Sequence, residues 1–512
     1  MKQAKHRKSY LPLQPHNNRL SINRSKLTAI HRKLLPWIIG LCSISTVVAA
    51  DLPSKDKKAL DGTAINSAAK NSAAMTPALT TPHKKATPAE RTFSHTLDNG
   101  LTIIVREDNR APVMVSQVWY RVGSSYEPVG TTGVSHVLEH MMFKGTHKVP
   151  TGEFSKLIAS YGGTENAFTS YDFTGYYQMM NANNLPLSLE LEADRMVNAI
   201  FPKDEFVKEI EVVKEERRLR TDDNPNALTY ERFLSAAYVS SGYHNPVIGW
   251  MHDLDNLTYK DALDWYHTWY APNNATLVVV GDVDHDNVFA LAKRYFGPIA
   301  AKTLPKVTPP QEAPSLGERR IEVELTAKVP AIYIGYNVPG INTAKEEWEV
   351  YALRMLAGVL DGGYSARIET ELVRKLQITA SAGASYGGFS RGDTLFYLSG
   401  VPTQNHTILD VENALMEQLQ RLKIKLAKPE ELARVQAQVI SGMIYQQDSI
   451  SSQANQIGRM ASIGRSWREM EVFADRLKAI TPEQIRQVAN RYLVSSRKTV
   501  AILKPKEIEP KS

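Results

Sequence analysis

The chain carries one pattern twice. Ala111-Pro112 leads into a Val- and aromatic-rich run, residues 113–122, and residues 329–338 (Val-Pro-Ala-Ile-Tyr-Ile-Gly-Tyr-Asn-Val) repeat that layout. Residues 270–280 (Tyr-Ala-Pro-Asn-Asn-Ala-Thr-Leu-Val-Val-Val) return in altered form within 490–503. Between the copies, residues 305–315 are Pro-rich, contain Pro309-Pro310, and read as a linker. Internal duplication restricts the fold more than any single motif, because each copy must bury its own apolar strands against its own helices. The expected class is α+β, with two homologous domains at residues 93–304 and 316–505. Each is a mostly antiparallel sheet packed with helices. A signal segment and a disordered tether come before them, and residues 506–512 form a tail.

In the first copy, strands are expected at 100–105, 113–122 and 273–281, where Val, Ile and aromatic residues concentrate. Helical spacing appears near 133–144, 152–161, 185–199, 204–221, 226–239, 259–269 and 284–296.

The N-terminus explains the charge. The formal net charge is +7, but residues 1–50 hold nine Lys and Arg and no acid. Without them, 52 basic residues face 54 acidic ones. The basic balance is therefore an address and gives no reason to expect nucleic acid. Residues 34–50 are an apolar run ending in Val48-Ala49-Ala50, the pattern of a signal peptide cleaved after Ala50. An uncleaved anchor and a mitochondrial presequence are the other readings. The run is short for a membrane span and contains Pro36. The expected location is periplasmic or secreted, with membrane contact only through an uncleaved N-terminal segment at the inner membrane. Residues 51–92, rich in Ala, Ser, Thr, Lys and Pro, have too few large apolar side chains to order and read as a tether. Cys42 is the only cysteine and lies inside the apolar run. A metal in the mature chain must therefore be held by His and carboxylates.

Such a set begins at His136-Val-Leu-Glu-His140. On a helix, His136 and His140 stand one turn apart on one face and can share a zinc ion, with Glu139 beside them to poise a water. The corresponding stretch of the second copy, residues 351–363, has no His, so metal is expected in the first copy only, one zinc per chain. A catalytic zinc takes three protein ligands and keeps one position open. The third would be a carboxylate. Glu205, Glu209 and Glu216 share one face of the helix expected at 204–221, and periodicity does not choose among them. Helices rich in Glu and Lys are ordinarily solvated faces with i,i+4 pairs.

Taken together, His136-Val-Leu-Glu-His140, Val212-Val213-Lys-Glu-Glu216, the stretch 162–176 around Asn166 and Asp172, and residues 270–282 resemble the pitrilysin/insulinase superfamily of inverzincin zinc metallopeptidases. The likeness is closest to the bacterial group similar to mitochondrial processing peptidase, and it covers about residues 93–505. The resemblance implies His136, His140 and Glu216 as zinc ligands, with Glu215 as the register alternative. It implies Glu139 as the catalytic base that deprotonates a zinc-activated water, and Glu209 as a supporting carboxylate. Asn166, Ala167, Phe168 and Thr169 resemble the edge strand on which substrate adds as an extra strand, which implies extended or unfolded peptides as substrates. One departure stands out. The family's second domain carries an Arg and, seven residues later, a Tyr, where this chain has Val373 and Ala380; Arg374 is one residue off and Tyr386 six residues late. A neighbour substitutes, or another chain supplies the pair. The resemblance thus implies the metal-bearing subunit of a two-subunit enzyme with a homologous partner, or a homodimer. The competing expectations are a non-catalytic peptide-binding or assembly subunit, which the retained metal motif disfavours, and a metal enzyme of another reaction type.

Overall fold

The computed structural model describes residues 87, 90–306 and 311–506. The expected signal segment, nearly all of the tether, the middle of the linker and the tail from 507 lie outside the described residues. The first strand begins at Thr92, one residue before the expected start of the first domain.

Two sheets organise the chain, as the duplication predicts. The first contains β1 (Thr92–Thr96), β2 (Thr102–Glu107), β3 (Val113–Tyr120), β4 (Thr164–Thr169), β5 (Thr174–Asn181) and β6 (Ala275–Gly281), in the order β1-β2-β6-β3-β5-β4. The second contains β7 (Arg319–Leu325), β8 (Ala331–Val338), β9 (Thr379–Tyr386), β10 (Thr394–Pro402) and β11 (Lys498–Pro505), in the order β7-β11-β8-β10-β9. Apart from β1 the two topologies match. One parallel pair (β2 with β6, β7 with β11) is followed by antiparallel partners out to an edge, β4 or β9. Every residue of β6 and β8 is buried, as near-continuous apolar runs such as Thr276-Leu-Val-Val-Val280 require of central strands covered on both faces.

On one face, each sheet packs against helices of its own half. On the other face the halves exchange helices. Ile104, Val115, Trp119, Val278 and Val280 of the first sheet are covered by Ala454 and Ile457 of the helix Ile450–Ser462. Ala331, Tyr333, Leu395, Ala501 and Leu503 of the second are covered by Phe233 and Ala237 of the helix Pro225–Ala237. Each buried aliphatic side chain here is worth about 1.5–3 kcal/mol relative to exposure. Neither sheet can therefore leave that face bare. Glycine makes both approaches close. A Cβ on Gly458 would stand 2.1 Å from the Trp119 ring, and one on Gly335 would stand 2.6 Å from Phe233.

The hairpin loops beside the two edge strands meet as well. The Arg391 guanidinium donates to the carbonyls of Asp172 (2.8 Å) and Ser462 (2.7 Å), and the Tyr243 hydroxyl donates to the Asp172 carboxylate at 2.8 Å. No helix among the described residues is long and apolar enough to cross a membrane.

Candidate metal centre

The helix Val134–Met141 carries the motif, and its start is fixed from several directions. Glu127 accepts hydrogen bonds from the backbone N–H groups of Gly133 and Ser135, both at 2.7 Å, and so satisfies donors that a helix N-terminus leaves free. Gly133 has φ 88°, and a Cβ there would lie 2.7 Å from the Ile248 carbonyl oxygen, so only glycine fits.

The second helix, Lys203–Arg217, lies against it and ends in a π-helical turn, Arg218–Asp222, where one α-helix was expected through 221. Arg217 points inward to Glu231 (2.8 and 3.0 Å) and to the Gly249 carbonyl (2.8 Å). Gly249 stands back to back with Gly133, where a Cβ would meet the Thr132 carbonyl at 2.5 Å. Both helices are thus pinned at one point.

Between them, His136, His140 and Glu216 converge, with one ligand-capable atom from each lying within 4.8 Å of the others. Glu216 Oε2 is 3.9 Å from His136 Nε2 and 3.6 Å from His140 Nε2. His140 Nδ1 is hydrogen-bonded to Glu209 Oε2 at 3.0 Å, which turns Nε2 toward the centre. Buried His136 Nδ1 has no hydrogen-bond partner among the described residues. Two imidazole nitrogens and one carboxylate oxygen match the donor set of a catalytic zinc, and the group fits. Glu215 pairs with Arg218 at 3.0 Å on the exposed side, away from this cluster.

The electrostatics of the metal-free centre are uneven. Burial, with the charge of His140, holds the His136 ring down at about 4. At His140 burial works the same way, but hydrogen bonds to Glu209 and Glu216 and the charge of Glu139 outweigh it and lift the ring to about 9. For Glu216, burial is overcome by the His140 hydrogen bond and the charges of His136 and Arg220, which bring it to about 2. Burial pushes Glu139 up to about 7, against its hydrogen bond from Thr169. Glu139 is therefore the group in the cluster poised to exchange a proton near neutrality.

Thr169 ends β4, and its hydroxyl donates to Glu139 Oε2. The four residues expected on the edge strand, Asn166, Ala167, Phe168 and Thr169, all lie in β4, the outermost strand of the first sheet. Phe168 packs on Trp119 with ring centroids 4.8 Å apart, and the Ala167 N–H donates to Asn166 Oδ1 at 2.9 Å.

The two neighbours of the missing Arg/Tyr pair are committed elsewhere. Arg374 donates to the Tyr364 carbonyl at 2.7 Å and lies over the Tyr364 ring at 3.8 Å. Buried Tyr386 donates to the Pro339 carbonyl at 2.5 Å. Sequence reasoning overlooked Lys144, which contacts Glu209, and Arg220, which contacts Glu216. Each stands four residues after a motif residue, and that i,i+4 spacing was the available signal. A second group, Glu107, Asp284 and His285, is tied into local hydrogen bonds. Glu107 Oε1 is hydrogen-bonded to His285 Nδ1 at 2.7 Å, and Asp284 caps a helix through Asn287 N–H.

Comparison with known proteins gives the family and the fold. Residues 102–249 match the family model for insulinase (peptidase family M16), and residues 256–439 match that for the peptidase M16 inactive domain. The zinc protease PqqE of Helicobacter pylori is 34% identical over 427 residues, 80% of this chain and 92% of that protein. An uncharacterized zinc protease of Rickettsia felis is 26% identical over 413 residues, covering 80% and 97%. Among solved structures, a protease from Helicobacter pylori superposes with a TM-score of 0.76 at 31% identity, covering 81% of this chain and 99% of that one. The periplasmic protease PqqL from Escherichia coli shares the fold with a TM-score of 0.71 at 21% identity, covering 82% of this chain and 48% of that one.

Proposed function

Because the chain belongs to the insulinase-type M16 family of zinc-dependent peptidases, we propose that it is an endopeptidase whose single zinc is held by His136, His140 and Glu216 and whose general base is Glu139. The observation that carries this reading is the convergence of those three donors beside a partly buried carboxylate, Glu139, that meets the end of the outermost strand of the sheet. Zinc bound there supplies Lewis acidity, which polarises a peptide carbonyl and acidifies water. Glu139 Oε2 is held by the Thr169 hydroxyl, which leaves Oε1 to take a proton from the attacking water and return it to the departing peptide nitrogen. Glu209 orients His140 through Nδ1. Strand β4 binds the substrate as an added strand along residues 166–169. Main-chain pairing selects extended conformation more than sequence, so unfolded peptides are the substrate class.

The chain acts outside the cytoplasm, in the periplasm or after secretion, a reading supported by the basic, then apolar N-terminal 50 residues. It is the metal-bearing subunit of a two-subunit enzyme. Arg374 and Tyr386 are engaged within the second half, so a homologous partner subunit supplies the Arg/Tyr function.

The test is zinc content and peptide cleavage for wild type and Glu139→Gln. The variant should keep its zinc and lose activity; cleavage at the wild-type rate would overturn the assignment. Full-rate cleavage by the isolated, zinc-loaded chain would overturn the two-subunit reading alone.

A further inference from the structure

Glu209 and Glu216, the two carboxylates that meet His140 from the acidic helix, each divide their two oxygens between histidine and a cation. Glu209 gives Oε2 to His140 Nδ1 at 3.0 Å and Oε1 to Lys144 Nζ at 2.5 Å. Glu216 turns Oε2 toward the two histidine Nε2 atoms, at 3.6 and 3.9 Å, and gives Oε1 to Arg220 Nη1 at 2.5 Å. We propose that Lys144 and Arg220 are matched positioning residues of the metal centre, each fixing one oxygen of a carboxylate so that the other is presented to the zinc site.

Lys144 stands in the turn just after the motif helix, four residues past His140, and Arg220 follows Glu216 by one turn. Lys144 is mostly covered and also meets Glu205 at 3.2 Å, so it ties the motif helix to the acidic helix at two points. Arg220 sits in the π-helical turn, where Asp223 N–H reaches back five residues to the Arg218 carbonyl at 2.8 Å. That turn is held by Arg217, which also reaches Asp222 at 3.2 Å. π-Helical turns concentrate at functional sites. A carboxylate with one oxygen pinned loses its freedom to rotate, and the two cations offset the repulsion among Glu139, Glu209 and Glu216 in the metal-free chain. Exposed ion pairs contribute little. These differ in that their carboxylates are largely covered, with side-chain exposures of 15% for Glu209 and 19% for Glu216.

The proposal rests on His136, His140 and Glu216 being the ligands, and the experiment separates the two. Zinc affinity of the full chain is measured by competition with a chromophoric chelator. Lys144→Ala and Arg220→Ala should each bind zinc about 10–100-fold more weakly. Lys144→Arg and Arg220→Lys should recover to within a few-fold, and Lys260→Ala, which removes an exposed lysine paired with Asp264, should match wild type. Wild-type affinity in both alanine variants, or conservative variants no better than alanine, overturns the proposal. Wild-type affinity in His140→Ala overturns the ligand assignment beneath it.

Discussion

Strands β4 and β9 end their sheets in the same topological position, and each is reached by side chains near a helix of its own half. In the first half Glu139 takes only the hydroxyl of Thr169. Among the described residues, no side chain from another element occupies the β4 backbone. In the second half the outer backbone of β9 is already in use. Asp361 accepts the Ala384 N–H at 3.0 Å, and Arg354 donates to the Tyr386 carbonyl at 3.4 Å. The helix Trp348–Leu360 that supplies Arg354 has no histidine, and its buried Glu349 is engaged by Arg491 and by the Tyr492 hydroxyl. Of two copies of one scaffold, one has an outer strand whose backbone meets only its own Asn166 side chain among the side chains of the described residues, and the other ties the corresponding strand to Asp361 and Arg354 of its half.

The largest expected effect tests that contrast at the chemistry. Glu139→Gln should lower peptide cleavage by about 10²–10⁴-fold with zinc retained, while Arg354→Gln in the other half should change it by no more than a few-fold. Equal losses would break the comparison. Next comes metal binding as a function of pH. Zinc requires neutral His140, whose ring holds its proton up to about 9 in the metal-free chain. The apparent affinity should therefore rise as pH rises, by about 50-fold from pH 7 to pH 9, and level off about a unit above that. Isothermal titration at several pH values would check this, and a flat profile would contradict the His140–Glu209–Glu216 pairing. The edges themselves come third. Ala167→Pro removes a backbone N–H from β4 and should cost about tenfold in kcat/KM on extended peptides. Ala384→Pro should leave kcat/KM alone and lower stability by about 1–3 kcal/mol, since Asp361 loses its donor. Smallest is the exchange of helices. Gly458→Ala should destabilise by about 1–3 kcal/mol through Trp119, and Gly335→Ala by less, because the atom it meets is the outer end of the Phe233 ring. Thermal unfolding would rank them.

The sequence made some of this legible and hid the rest for physical reasons. Periodicity located the motif helix, the acidic helix and the central strands because each repeats its apolar pattern over several turns or alternations. The family likeness singled out Glu216 from three carboxylates on one face; spacing alone left them equal. The helix exchange was not legible. A helical pattern is legible at 226–239 but does not say which sheet it covers, and the helix Ile450–Ser462 was not read from the sequence. Glu127 was missed for a similar reason, since it caps the motif helix from outside the helix and no local pattern links it to Gly133 and Ser135.

The exchanged helices also set an order of completion during synthesis. The first half, with its motif helix, leaves the ribosome early, yet Ile104, Val115, Val278 and Val280 of its sheet stay uncovered until residues 450–462 emerge. The second sheet finds its covering helix already made, because residues 225–237 precede it. The half that is translated first must therefore wait for a helix of the other, and a chain truncated before residue 450 would carry every metal ligand in a half whose sheet has one apolar face open to water.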